Sequence, residues 1–431
     1  MRQLAWLSIT VVIIILVYIH RILNSLVPDY PNNLLAKPPK PVFDTSHQEQ
    51  PNCKNMLQTL LQGQWRLKED VTFKDFLFHR RTDMQMRTKK GWPPLLYHGD
   101  LRCGTKFPLP RVTYTNRTEG YYLDIPSQCD TVSDSPCCRD DVGWCGNGKT
   151  FCECESCIDY RQYIPAELAV WETDSGCNMR NVDTIEACHE LQKHFTSVTF
   201  IGDSLVRHLF SSLLILMTAD PEKGALKTVT SQVDKEICAG ENQFVDSACH
   251  KWLSMTWDDV EKNGNYCVGM PEGHRPRIGF IEAYNIKQLH KAKQELKTRL
   301  EEKRPLVVIG IGVHENFNYS RVIGEYLKPI IEMKNKSNSK TELLWLNTHS
   351  SGPLKPNQFR EIQGNTRIKI FNNIMSEYCK KNDILVMDTF NFTRGVDSFD
   401  GTHYGYKINQ VKTQILLNSL TEISQRPNSL D

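Results

Sequence analysis

This chain lacks any surplus of one charge: 52 basic and 50 acidic residues leave a formal net charge of +2 over 431 residues. A surface without a lopsided field gives no electrostatic grip on a polyanion, so nucleic acid is not expected as a partner. No Asp-x-Asp follows a strand-like run, which argues against a metal-dependent glycosyltransferase, and no metal centre is expected. No basic, phosphate-cradling loop stands out, which argues against a sulfotransferase, and no internal repeat is evident. Long apolar runs are almost absent too. The exception is Leu4 to Ile19, preceded by Met1-Arg2-Gln3 and closed by His20 and Arg21.

That run is a little short for a bilayer, whose spanning helices use about 20 apolar residues and accept about 17. It suits a thin early-secretory membrane or a signal-peptide core. No small-x-small cleavage site follows in Arg21 to Ser25, so residues 1–22 are expected to be a cytosolic tail and uncleaved signal anchor. A cleaved signal peptide and a buried soluble helix are the alternatives. Cysteine is abundant: there are fifteen, nine of them between Cys53 and Cys157, as in chains that fold in an oxidising compartment. The odd count leaves one thiol over, for which Cys379 is the candidate. Sequons at Asn116, Asn318, Asn335 and Asn391 all lie downstream of the anchor. Together these features predict a single-pass type II protein with a lumenal body, in the Golgi or another secretory-pathway membrane.

Pro28, Pro31, Pro38, Pro39 and Pro41 mark residues 23–50 as an extended stem. Residues 51–193 are rich in cysteine, aromatics and turn formers, with a possible helix at Tyr160 to Trp171, and read as a disulfide-stapled unit. From 194 to 431 the pattern changes. Strand-like runs at 197–201, 278–281, 306–309, 343–346 and 384–387 alternate with helical segments at 205–217, 286–303, 319–334, 367–381 and 406–423. Such alternation predicts an α/β fold with a parallel sheet covered on both faces, its site at the carboxyl ends of the strands.

The sharpest local feature is Phe200-Ile201-Gly202-Asp203-Ser204-Leu205-Val206-Arg207-His208, where a strand gives way to a helix. A serine on that turn has unpaired helix-start N–H groups beside its oxygen, able to stabilise an oxyanion. A plain helix cap by Asp203 or Ser204 is the alternative. Near the C-terminus, Asp397 to Tyr404 contains Asp400-Gly401-Thr402-His403. A serine hydroxyl needs a base, and an imidazole needs a carboxylate to fix its tautomer; Asp-x-x-His supplies both from one turn.

These two blocks resemble the GDSL/SGNH hydrolases, in the branch of the PC-esterases, the plant trichome-birefringence-like polysaccharide O-acetyltransferases and the animal sialic-acid O-acetyltransferases. The resemblance implies a three-layer SGNH-like fold and a triad of Ser204, Asp400 and His403. The plant enzymes continue past the histidine with Trp-Cys-Leu-Pro-Gly, whereas this chain continues Tyr404-Gly405-Tyr406, so the animal type fits better. Family members add an asparagine side chain and a glycine N–H as oxyanion donors. Asn316, and equally His314, is the candidate for the first, and Gly240 for the second. The stretch Asn347 to Leu354 would form a substrate-side loop, or leave His349 as a solvated loop residue.

Upstream, Cys129, Cys137-Cys138, Gly143-Trp144-Cys145-Gly146 and Phe151-Cys152, followed by Cys154 and Cys157, resemble a hevein-like knot. Trp144 and Phe151 match that knot's sugar-stacking places. Arg139 replaces its usual serine and Cys154 is extra, so a purely structural knot is the competing reading, and zinc binding by Cys152, Cys154 and Cys157 is disfavoured where thiols oxidise. The expected activity is serine-dependent acyl, here acetyl, transfer to a glycan or polysaccharide through an acyl-serine. A carbohydrate O-acetylesterase and a non-catalytic glycan-binding membrane protein are the alternatives. No bound cofactor is expected; an acetyl donor such as acetyl-CoA would enter as a co-substrate.

Overall fold

The computed structural model describes residues 53, 55–71, 75 and 165–425, apart from 176, 272, 338, 353–354, 356–358 and 360–361, and the backbone of 136–139, 144–147 and 157–158. The expected anchor, the stem, Asn116, Phe151, the side chain of Trp144 and most of the cysteine-rich segment lie outside the described residues. Among the described residues, no helix is long and apolar enough to cross a membrane.

Helix α1 (Met56–Leu60) leads into strand β1 (Gly63–Leu67). Strands β2 (Pro136–Arg139), β3 (Trp144–Asn147) and β4 (Cys157–Ile158) form an antiparallel sheet in the order β3-β2-β4. Strand β5 (Ala169–Thr173) pairs antiparallel with β1, setting Trp171 opposite Trp65. The helix expected over Tyr160 to Trp171 is therefore not there in its described part, where a 3-10 turn at Ala166–Leu168 runs straight into β5. Pairing wins because it satisfies the backbone and lets Trp65, Trp171 and Phe392 pack together, with ring centroids 4.7–5.5 Å apart.

Helix α2 (Thr184–His194), capped by Asp183, precedes strand β6 (Ser197–Gly202) and helix α3 (Ser204–Thr218). Then follow β7 (Arg277–Glu282), α4 (Ile286–Leu300), β8 (Pro305–Gly310), a helical rod, β9 (Glu342–Leu346), α6 (Asn365–Lys381) and β10 (Leu385–Met387). The rod begins at Tyr319–Arg321, passes through a π-helical stretch at Val322–Leu327, and ends as α5 (Lys328–Lys336). The last expected helix is broken into α7 (Tyr406–Asn418) and α8 (Leu420–Ser424). At the break Ser419 donates its hydroxyl to the Ile415 carbonyl, competing with the helix ladder.

The five strands after α2 are all parallel, in the order β7-β6-β8-β9-β10. Side chains alternate along them. Val198, Phe200, Leu306, Val308 and Leu344 share a core with α2, α3 and α7, while Ile201, Val307, Ile309, Leu343 and Trp345 share another with α4, the rod and α6. The result is a three-layer α/β/α arrangement of the kind the strand and helix alternation predicts. The chain steps from β6 outward to β7 and then back across to β8, so β6 and β8 flank the switch point, where crevices open at the carboxyl ends of strands. Gly202 and Gly310 face each other there. A Cβ on Gly202 would sit 2.0 Å from the Gly310 carbonyl oxygen, so the close approach needs glycine.

Described residues on both sides of the boundary expected at 193/194 pack into one core. Leu57, Leu60 and Trp65 at one end of the 51–193 segment, and Ala187 and Leu191 at the other, belong to the same core as Val206, Leu213 and Ile415. The α1 backbone is pinned to α8 by Leu57 N–H donating to Glu422 (3.0 Å), and Trp65 Nε1 donates to Phe392 O (2.8 Å). Disulfides join Cys53 to Cys177, Cys188 to Cys267 and Cys238 to Cys249, and Cys379 is free and buried. Sequence pattern alone missed the join because the apolar residues of short strands and turns carry no period long enough to read.

Candidate active site

Ser204 is the first residue of α3 and comes directly after the β6 end. Asp203 caps the helix: its Oδ1 accepts from Leu205 N–H at 3.0 Å and its carbonyl from Arg207 N–H at 3.0 Å. The cap reading of this motif is thus realised by Asp203, which leaves the half-buried Ser204 hydroxyl free for other work. It donates to His403 Nε2 at 2.7 Å. His403 Nδ1 in turn donates to Asp400 Oδ2 at 2.7 Å, and Asp400 Oδ1 accepts the backbone N–H groups of Thr402 (2.9 Å) and His403 (2.8 Å). Residues 199 positions apart in sequence meet because β6 and the turn beyond β10 both end on the same edge of the sheet.

The electrostatics fit that relay. Burial alone would raise the Asp400 pKa, but the His403 charge and these hydrogen bonds outweigh it and hold the carboxyl below the usual carboxylate range. Asp400 is therefore an ionised acceptor for the Nδ1 proton, which leaves Nε2 as the base facing Ser204. A hydroxyl, an imidazole and a carboxylate so linked can make an acyl-serine and release it to water or to another hydroxyl.

No family model matches the chain, and no curated protein does. Two solved structures show a distant likeness. One is Est24, a carbohydrate acetylesterase from Sinorhizobium meliloti, at 12% identity over 31% of this chain and 66% of its own, with a TM-score of 0.26. The other is LAE5, an alpha/beta hydrolase enzyme from the metagenome of Lake Arreo, Spain, at 13% identity over 52% of this chain and 95% of its own, with a TM-score of 0.29. Likeness at this level carries no argument, and the site stands on its own geometry.

As the first helical residue Ser204 has no intrahelical acceptor for its own N–H, which makes that amide the nearest oxyanion donor. The glycine expected to help, Gly240, is committed elsewhere: its N–H donates to the Glu222 carbonyl at 2.8 Å, so it has no proton left for an oxyanion. Asn316 lies exposed in the loop after β8, in a left-handed conformation (φ 47°), with its Oδ1 accepting from Gln363 Nε2 at 3.0 Å. That contact turns its NH2 end away from Gln363. His314, in the same loop, packs at a tilt against Tyr284 with ring centroids 4.7 Å apart. Burial lowers its pKa, while the nearby Asp203 charge pulls the other way.

His349 is 2% exposed, so the solvated-loop reading is overturned. Its loop is built into the site as a support: Gly352 N–H and Ser351 Oγ both donate to Gly401 O in the Asp400 to His403 turn, at 3.0 and 3.2 Å. Sequence reasoning gave Arg207 a place in the Gly202-Asp203-Ser204 block but no role, and passed over His208 and His250. Arg207, 5% exposed, donates from Nη2 to His250 Nε2 at 2.9 Å. His208 is buried with its ring 5.2 Å from that of His403. Burial first, and then the Arg207 charge, brings the His250 pKa down to about 4 and that of His208 well below its usual value. The signal for Arg207 and His208 was their place three and four residues after the serine, one helical turn on. Of the sequons, Asn318, Asn335 and Asn391 are exposed.

Proposed function

We propose that this chain is a lumenal serine O-acyltransferase of the GDSL/SGNH type that moves an acyl group, most simply acetyl, onto a glycan hydroxyl. The observation that carries the reading is the linked set of Ser204, His403 and Asp400, joined by two contacts of 2.7 Å. His403 takes the Ser204 proton as the hydroxyl attacks the acyl carbonyl. The Ser204 amide, with a donor from the loop after β8, holds the oxyanion. Collapse expels the leaving group, which takes the proton back from His403, and the acyl-serine then reacts with an acceptor that His403 deprotonates in its turn. Water as acceptor makes the chain an esterase; a sugar hydroxyl makes it a transferase. The exposed sequons and the buried disulfides support a lumenal setting for the body. The anchor at residues 1–22 and the sugar-stacking roles of Trp144 and Phe151 remain part of the same proposal, with the donor, such as acetyl-CoA, entering as a co-substrate.

The test uses purified full-length chain, a chromogenic acetyl ester and a panel of free sugars. Ser204→Ala is expected to abolish ester turnover by about a thousandfold or more, and His403→Ala by a similar factor. Acetylated sugar appearing at the expense of free acetate assigns transfer; acetate alone assigns hydrolysis. Turnover that persists in Ser204→Ala would remove Ser204 as the nucleophile.

A further inference from the structure

Beneath the catalytic turn lies a buried lysine–histidine pair that the relay itself does not use. Lys412, on α7, is 0% exposed, and its Nζ donates to His349 Nε2 at 2.9 Å. The imidazole packs on Tyr404, the residue next to His403, with ring centroids 5.4 Å apart. The Tyr404 hydroxyl lies 2.9 Å from Ser350 O and 3.2 Å from Thr393 O, so the ring cannot swing. The loop that carries His349 is the one that grips Gly401. His349 Nδ1 is buried with no hydrogen-bond partner, as is Asn409 Oδ1 one turn before Lys412. A lysine without water access is expensive.

We propose that Lys412 and His349 are a positioning pair for His403: their buried hydrogen bond braces the turn that carries the base. The inference rests on the reading of His403 as that base. Around His403 stand Asp400 on its own turn, Asp203 and His208 across the β6 and α3 junction, and His250 on the 3-10 segment Ser247–Trp252. His314 faces it from the loop after β8 and His349 from the loop after β9. Burial brings the Lys412 pKa down to about 7, with the Asp203 charge opposing the fall. Ammonium and neutral amine can both donate to His349 Nε2, so the brace does not depend on which form is present.

The experiment compares ester turnover and melting temperature in the wild type, Lys412→Met and Lys412→Gln. Loss of the brace in Lys412→Met is expected to lower kcat about tenfold with KM little changed, measured well below the melting temperature, and to lower the melting temperature, because His349 Nε2 is left buried without its donor. Lys412→Gln keeps an uncharged donor and is expected to recover part of the lost kcat. A merely structural lysine would lower the melting temperature of both variants and leave kcat unmoved, and would overturn the proposal. Covalent labelling of wild-type Ser204 by a fluorophosphonate reports separately on the serine chemistry. Failure of that labelling would count against the acyltransfer reading, whereas an unchanged kcat in Lys412→Met would count against the pair.

Discussion

Asp400 is the residue whose charge state the site depends on most directly. In the unfolded chain an aspartate titrates near pH 3.9. In the fold the His403 charge and three hydrogen bonds hold its pKa lower, against the opposing effect of burial. A depressed carboxylate pKa adds stability that is fully present above the unfolded value and is lost as pH falls through the folded one. Asp400→Asn cannot ionise. The gap in urea midpoint between wild type and Asp400→Asn is therefore expected to be widest above about pH 5 and to narrow steadily below about pH 4. A gap that does not change with pH would mean the carboxylate adds no titratable stability. The Asn variant should also lose most of its turnover near neutral pH, since an amide can present the wrong tautomer of His403 to Ser204.

At the scale of elements, the site depends on the ends of β6 and β8 coming close enough to deliver two loops to one crevice. Gly202 and Gly310 make that possible, with the Gly202 Cα position facing the Gly310 carbonyl and Val206. Gly202→Ala is expected to cost about 1–3 kcal/mol, read from the midpoint of chemical unfolding, because a methyl group there must push the two strand ends apart. Turnover should fall further than stability, since the displaced strand end is the one that positions Ser204. The strand and helix alternation after residue 194 was legible because each parallel strand is a short, mostly apolar stretch rich in β-branched or aromatic residues or leucine, and the helices between them keep their period. The meeting of Ser204, His403 and Asp400 was legible for a similar reason: their residue types occur in that order and with Asp400 three residues before His403. Gly240 misled because a lone glycine does not reveal whether its N–H is already spent in a turn. The β1 and β5 pair was hidden in five-residue stretches that only a partner 100 residues away makes into strands. His208 and His250 were invisible for another reason, because only packing brings α3 and the 3-10 segment together beside His403, whereas His314 and His349 were already candidates from their loops.

At the scale of the whole molecule, covalent links tie the layers together in the way an oxidising compartment permits. Cys188 lies on α2 and Cys267 lies beyond the helix Trp257–Asn263, close to where β7 begins, so their disulfide spans 79 residues and encloses β6, α3 and Ser204. Both sulfur-bearing residues are buried, at 0% and 1% exposure. Closing a loop of that length removes conformations from the unfolded chain, and the loss amounts to about 4 kcal/mol of stabilisation. A small hydrophobic core could not offset such a loss, but the two cores that flank this sheet are extensive, so the double variant Cys188→Ala/Cys267→Ala should fold with a lower melting temperature. Turnover should fall as well, because the loop this bond closes carries Ser204 at the start of α3. Comparison of the melting temperatures of wild type and double variant, each with and without reductant, separates the contributions. A wild type that falls to the level of the double variant in reductant places the stabilisation in this bond. A double variant that melts with the wild type in the absence of reductant would show the bond to be dispensable.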